Sequence, residues 1–231
     1  IYVIEMNLRT SRSMPFSSKA KGVNLMDLAA KAVLKGKIDG YPEGFNELNS
    51  PNYAVKVAQF SWAQMKGAYP RLGPEMRSTG EVAALASRFE DALLKAWLAA
   101  EPNRMPKNNI LIYGRERRKE LEQAARILRK FFDVYTLERA EILGEVLSVD
   151  EAINLLKKWN IDLLITTGSM PEIDFHVRRT AVDMNIPVIL NASLGLEIAK
   201  AISLIREDGF EIFEMRDYYN GSFSNSCLLY T

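Results

Sequence analysis

The spacing of apolar residues divides the chain into two stretches of different character. In the first, residues 1–4 form a short β-rich run, and residues 6–16 mix polar and basic side chains around Pro15 as a loop does. Asn24 stands where it can cap a helix carrying Leu25, Leu28, Ala29, Ala32 and Val33 on one face. Residues 36–52, rich in Gly, Pro, Asn and Glu, predict a connection, and residues 53–58 alternate like a strand. A second long loop passes through Gly67 and Pro70. Residues 84–100 predict a helix, with Leu85, Phe89, Leu93 and Trp97 recurring every four positions. Two prolines and two asparagines in residues 101–108 interrupt that period, and a domain boundary is expected there.

Beyond the interruption, short apolar runs alternate with longer helical patterns. Strands are expected at residues 110–113, 132–136, 161–166 and 187–190. Helices are expected at 117–130, at 150–159 with Asp150 as the cap, at 173–184 and at 194–206. Strands this apolar, separated by helices of ten or more residues, predict an α/β fold whose parallel sheet is covered on both faces, a three-layer arrangement. Ligands of such sheets sit at the C-terminal strand ends, so Gly114, Thr136, Thr166, Thr167 and Asn191 become positions of interest. Residues 216–231 are polar without period and are expected to form a flexible tail.

Composition narrows the function classes. The 231 residues suffice for one large domain or two modest ones, and the 48% hydrophobic content suits an ordinary core. A net charge of +1 argues against nucleic acid as a partner. Cys227, the single cysteine, cannot form an intramolecular disulfide, and no run nears the roughly 20 apolar residues that span a bilayer. A cytoplasmic location without a membrane partner is the expectation. The opening at Ile1, inside a strand-like run, suggests a fragment of a longer chain.

The densest chemistry lies in Glu5, Asn7, Arg9 and Arg12. In an extended segment Glu5, Asn7 and Arg9 point to one side. A carboxylate and an amide oxygen two residues apart can hold a hard cation such as Mg²⁺, and a neighbouring arginine can pair with phosphate. Metal plus arginine is the equipment of phosphoryl transfer. Taken alone, this spacing arises easily by chance and is more often that of a solvated polar strand edge.

The longer run around it, Ile4-Glu5-Met6-Asn7-Leu8-Arg9-Thr10-Ser11-Arg12-Ser13-Met14-Pro15-Phe16 with Ser18-Lys19 and Gly22-Val23, resembles a segment of the carbamoyl-phosphate synthase large chain. Gly73-Pro74-Glu75-Met76-Arg77-Ser78-Thr79-Gly80-Glu81-Val82 resembles a later block of the same ATP-grasp synthetase unit. The resemblance implies that residues 1–101 are the α+β C-terminal part of the second ATP-grasp unit. It implies that Glu5 and Asn7 ligate the Mg²⁺ (or Mn²⁺) of bound ATP. Arg9 and Arg12, on the same ground, hold the carbamate or the transferred phosphate. Leu8 stands where many relatives have proline.

Residues 102–108 read as a linker, and residues 109–215 resemble the methylglyoxal-synthase-like regulatory domain that ends these large chains. The resemblance rests on Ile161-Asp162-Leu163-Leu164-Ile165, on His176-Val177-Arg178-Arg179-Thr180-Ala181-Val182-Asp183 and on Ile186-Pro187-Val188-Ile189-Leu190-Asn191. In the family this domain binds a regulatory nucleotide or acetylated amino acid, which makes Thr136, Thr166, Thr167 and Ser169 candidate effector-binding residues. The chain departs from the pattern at Thr136-Leu137-Glu138-Arg139, where relatives carry Thr-x-Gly-Thr. Glu138 replaces a glycine that admits phosphate and adds negative charge, so phosphate-bearing effectors are expected to bind weakly. His176, the only histidine, reads as a surface or packing residue.

The implied activity is that of an ATP-dependent ligase acting as part of a longer chain, with ATP and bicarbonate or carbamate as substrates. Expected partners are the rest of the large chain and a glutamine amidotransferase small chain, and the fragment alone is expected to be inactive. The alternative is a stand-alone regulatory module that binds an effector without catalysis. A free-standing methylglyoxal-forming lyase is disfavoured, because Gly168-Ser169-Met170-Pro171-Glu172 lacks the aspartate-bearing glycine-rich loop that chemistry needs.

Overall fold

A computed structural model of the chain describes residues 2–3, 6–7, 9–36, 52–73, 80–138, 140, 142–168, 171–210 and 212. It separates into two compact units: residues 1–54, 85–88 and 212–231 in one, residues 55–84 and 89–211 in the other.

The first unit contains α1 (Met14–Lys21) and α2 (Leu25–Lys35), packed on each other. Where a loop is expected over residues 6–16, a helix begins at Met14. Pro15 suits a first helical turn, where its missing N–H is no loss. Gly22, left-handed at φ 71°, ends α1. The hydroxyl of Ser18 donates to the Met14 carbonyl (2.8 Å) and accepts from the Leu25 N–H (3.1 Å), tying the helices together. Asn24 caps α2 as expected, accepting from the N–H groups of Met26 and Asp27. Tyr2 and Val3 are exposed and not in a strand.

The second unit opens with residues 55–59 of β1 (Tyr53–Gln59) and residues 80–84 of β2 (Gly80–Ala86), two strands paired as a ribbon, with a short 3₁₀ turn at Trp62–Gln64 between them in the chain. Helix α3 (Phe89–Ala99) follows. Residues 84–86 therefore belong to a strand, because the apolar period of four begins in earnest only at Phe89. The remaining elements are β3 (Asn109–Tyr113), α4 (Arg118–Leu128), β4 (Asp133–Leu137), β5 (Glu145–Leu147), α5 (Val149–Lys157), β6 (Leu163–Thr166), α6 (Pro171–Asp183), β7 (Val188–Ile189) and α7 (Ala192–Asp208). Ser148, rather than Asp150, caps α5. Its hydroxyl accepts from the Glu151 N–H while Glu151 Oε2 accepts from the Ser148 N–H, a reciprocal box.

The strands β3 to β7 form one all-parallel sheet in the order β5-β4-β3-β6-β7. Ile110, Leu111, Ile112 and Tyr113, like every residue of β6, are buried, and strand residues alternate between faces, so both faces are covered. Helix α7 packs against both α3 and α4, and α5 packs against α6, giving helix, sheet and helix layers. Leu121, Ala124, Ala125 and Leu128 of α4 and Ile198, Ala199 and Ile202 of α7 complete the core. Residue 144 must be glycine: a side chain there would stand 2.8 Å from the Val134 carbonyl.

Residues 102–108, expected as a linker, are held at several points. Oδ2 of Asp162 accepts the backbone N–H groups of Lys107 (3.0 Å), Asn108 (2.7 Å) and Asn109 (3.1 Å). Arg104 donates to the Asn185 carbonyl at 2.8 Å, and Asn103 to the Trp97 carbonyl at 2.9 Å. Upstream of this segment, Leu93, Leu94 and Trp97 of α3 belong to the same core as the parallel sheet. The compact unit thus begins well before residue 109.

Candidate functional site

Strand order reverses beside β3, whose chain leaves toward β4 on one side while β6 returns on the other. Such a switch point opens a crevice at the C-terminal strand ends. There Tyr113 and Thr166 lie in register on adjacent strands. Thr136, at the end of β4, is buried with its hydroxyl unpartnered. Tyr113 is fully buried, its hydroxyl near Thr166 and Asp174 without a well-formed hydrogen bond. Burial, and secondarily the Asp174 carboxylate, push its phenol far above the ordinary range.

Helix α6 brings a buried charge to this crevice. Arg178 is 3% exposed at its side chain and Asp174, one turn earlier, is fully buried, with 3.6 Å between Nη2 and Oδ2. Arg178 also donates to Thr166 Oγ1 (3.4 Å) and to the Pro70 carbonyl (3.3 Å), and its guanidinium lies 5.9 Å from the centre of the Tyr69 ring. Gly168, at φ 71°, leaves room for it: a side chain there would stand 2.6 Å from Nη2. The next residue, Arg179, serves another purpose. It donates to the carbonyls of Trp62 (3.1 Å), Met65 (3.1 Å) and Ala68 (2.9 Å) and pairs with Asp183 (2.7 Å).

Of the candidate effector residues, Thr136 and Thr166 are brought to the same sheet edge and are buried, and Thr167 is half-buried beside them. Ser169 lies outside the described residues. Glu138 is exposed. Tyr113, Asp174 and Arg178 are absent from the sequence-derived set. The Asp174/Arg178 spacing of four on a helix was the available signal, although it equally marks a surface pair. His176 is exposed and packs edge-on against Phe175, as expected of a surface residue.

Asn7, Arg9 and Arg12 are exposed in the first unit, and Glu5 lies outside the described residues. Among the described residues no three His, Cys, Asp or Glu side chains gather as a metal site. One carboxylate and one amide oxygen suit a hard cation that completes its shell with phosphate oxygens and water. A separate apolar cleft of about 140 Å³, with Phe60, Trp62, Trp97, Leu190 and Leu194 among its walls, lies in the second unit. No described helix is long and apolar enough to cross a membrane.

A parallel α/β unit whose strand order reverses beside β3 belongs to the open-sheet α/β class, in which ligands sit at the C-terminal strand ends. Comparison with known proteins narrows the class. No family model matches the chain. The carbamoyl phosphate synthase large chain of Pyrococcus furiosus is 51% identical over 222 residues, covering 94% of this chain and 21% of that protein. The large chains of Sulfolobus acidocaldarius (50% over 224 residues) and Saccharolobus solfataricus (45% over 225) each cover 95% of this chain and 21% of their own length. The chain belongs to the carbamoyl phosphate synthase large-chain family and spans about a fifth of the length of these relatives.

Proposed function

We propose that the chain is the C-terminal part of an ATP-dependent ligase that makes carbamoyl phosphate, joining a catalytic segment to a regulatory domain. The identity to carbamoyl phosphate synthase large chains over nearly the whole chain carries this reading. Residues 1–101 are assigned to the second ATP-grasp unit and 109–215 to the regulatory domain. The rest of the large chain is the necessary partner, and a glutamine amidotransferase small chain is a further one.

In the catalytic segment Glu5 and Asn7 offer two oxygens to Mg²⁺ or Mn²⁺, and the ion neutralises phosphate charge when ATP is bound. Arg9 and Arg12 add guanidinium groups that orient the carbamate and the transferred phosphoryl group through charge-assisted hydrogen bonds. Their exposure in this chain supports a role that depends on residues elsewhere in a longer protein. The fragment alone is therefore expected to be inactive.

The test is made in a complete large chain. Glu5→Ala and Asn7→Ala should lower ATP turnover and raise the magnesium concentration needed for half-maximal rate, and Arg9→Ala should lower turnover at saturating magnesium. Near-normal turnover of all three at limiting magnesium would sink the catalytic assignment. For the regulatory half, Thr136→Val with Thr167→Val should alter how turnover responds to nucleotides and amino acids tested in turn. An unchanged response removes that assignment.

A further inference from the structure

The crevice at the ends of β3, β4 and β6 holds a buried cation, Arg178, whose guanidinium packs over Gly168 while Thr167 packs over Gly114. Such equipment ordinarily receives an anion. Here the cation already has one. Asp174 is wholly buried one helical turn away, and Thr166 Oγ1 and the Pro70 carbonyl take further guanidinium N–H groups. An incoming phosphate would have to approach a buried carboxylate in a medium where like charges repel far more strongly than in water. Nothing in helix geometry requires an acid at this position. The same α6 supplies Asp183 to Arg179 on its exposed side, where a carboxylate costs little.

We infer that Asp174 is the specificity-determining residue of the strand-end site: it occupies the anion position of Arg178 and makes the site refuse phosphate-bearing ligands. The inference rests on the reading of these strand ends as an effector site and deepens it. Glu138, exposed at the end of β4, adds a second negative charge but does not approach the buried guanidinium among the contacts of Arg178. The exclusion is thus assigned to Asp174.

The prediction is a gain of function. Melting temperature is followed against inorganic phosphate up to 100 mM, at constant ionic strength, for the full chain and for Asp174→Ser and Asp174→Asn. Binding to the folded state alone raises the melting temperature by linkage. The unmodified chain should shift by less than about 1 °C, and at least one variant by about 5 °C or more, as expected for phosphate near a hundredfold above its dissociation constant. Asp174→Asn combined with Arg178→Gln should return to the flat response. The serine variant makes space and the asparagine variant keeps shape, so a folding defect in one leaves the other to decide. A purely structural ion pair predicts destabilised variants that ignore phosphate, and that result overturns the inference, as do variants that remain unfolded throughout. If the unmodified chain responds as strongly as the variants, the effector site stands and the role of Asp174 falls.

Discussion

Arg179 offers the sharpest quantitative test of how the second unit is held together. Its guanidinium, almost wholly buried, donates to three backbone carbonyls between Trp62 and Ala68. Arg179→Met keeps much of the side-chain volume and removes every donor. Hydrogen bonds from charged donors contribute about 1.5–3 kcal/mol each where the acceptor stays buried, and far less where water can replace the donor. Met65 is exposed, so its carbonyl can rehydrate, and Asp183 is half exposed, so its pairing adds little. The net loss is about 3 kcal/mol, or roughly 8 °C in melting temperature for a chain of this size. Arg179→Lys should recover only part of it, because an ammonium cannot span three carbonyls with a planar fork. Urea unfolding gives the global figure, and amide exchange across residues 62–70 shows whether the loss is local. A methionine variant within about 0.5 kcal/mol of the parent, with unchanged exchange in that segment, would refute the clamp.

Other outcomes can be checked alongside. Asp162→Ala should speed exchange at Lys107, Asn108 and Asn109 and open residues 101–108 to protease, with Asp162→Asn intermediate; equal protection in all three would mean other contacts hold the segment. Tyr113→Phe should cost under about 0.5 kcal/mol, since the buried hydroxyl forms no good hydrogen bond, and equilibrium unfolding at pH 7 measures it. Because folding raises the Tyr113 pKa, the unfolded chain binds fewer protons above about pH 10, so stability falls as pH rises there; Tyr113→Phe should flatten that decline in alkaline unfolding curves. Ser148→Ala removes a reciprocal cap and should cost about 1 kcal/mol by the same assay.

The parallel sheet was legible because Ile110–Tyr113 and Leu163–Ile165 are apolar at every position, a pattern that only a strand buried on both faces requires. Element edges were less so. Alanine and leucine at 84–86 favour a helix by propensity, and tertiary pairing with β1 overrides them. β5 is only three residues long, with exposed Glu145 and Val146, too short to show any period. At the crevice, Thr136 and Thr166 followed from topology alone, since strand ends are where such sheets place ligands. Asp174 and Arg178 did not, because a spacing of four describes solvated pairs and buried ones alike. Only packing against Gly168 and Tyr69 distinguishes them.

The Arg179 clamp grips main chain rather than side chain, and this shapes how the protein can vary. Any residue except proline, which would lack the N–H that Met65 donates to Trp62 and Ala68 donates to Met65, presents the same main chain at these positions, so the gripped segment is free to drift as long as its path is kept. The guanidinium has no such latitude. A saturation library should show broad tolerance at Met65 and Ala68 against narrow tolerance at Arg179, with the selective burden of a seven-residue stretch of chain resting on one codon more than a hundred positions downstream.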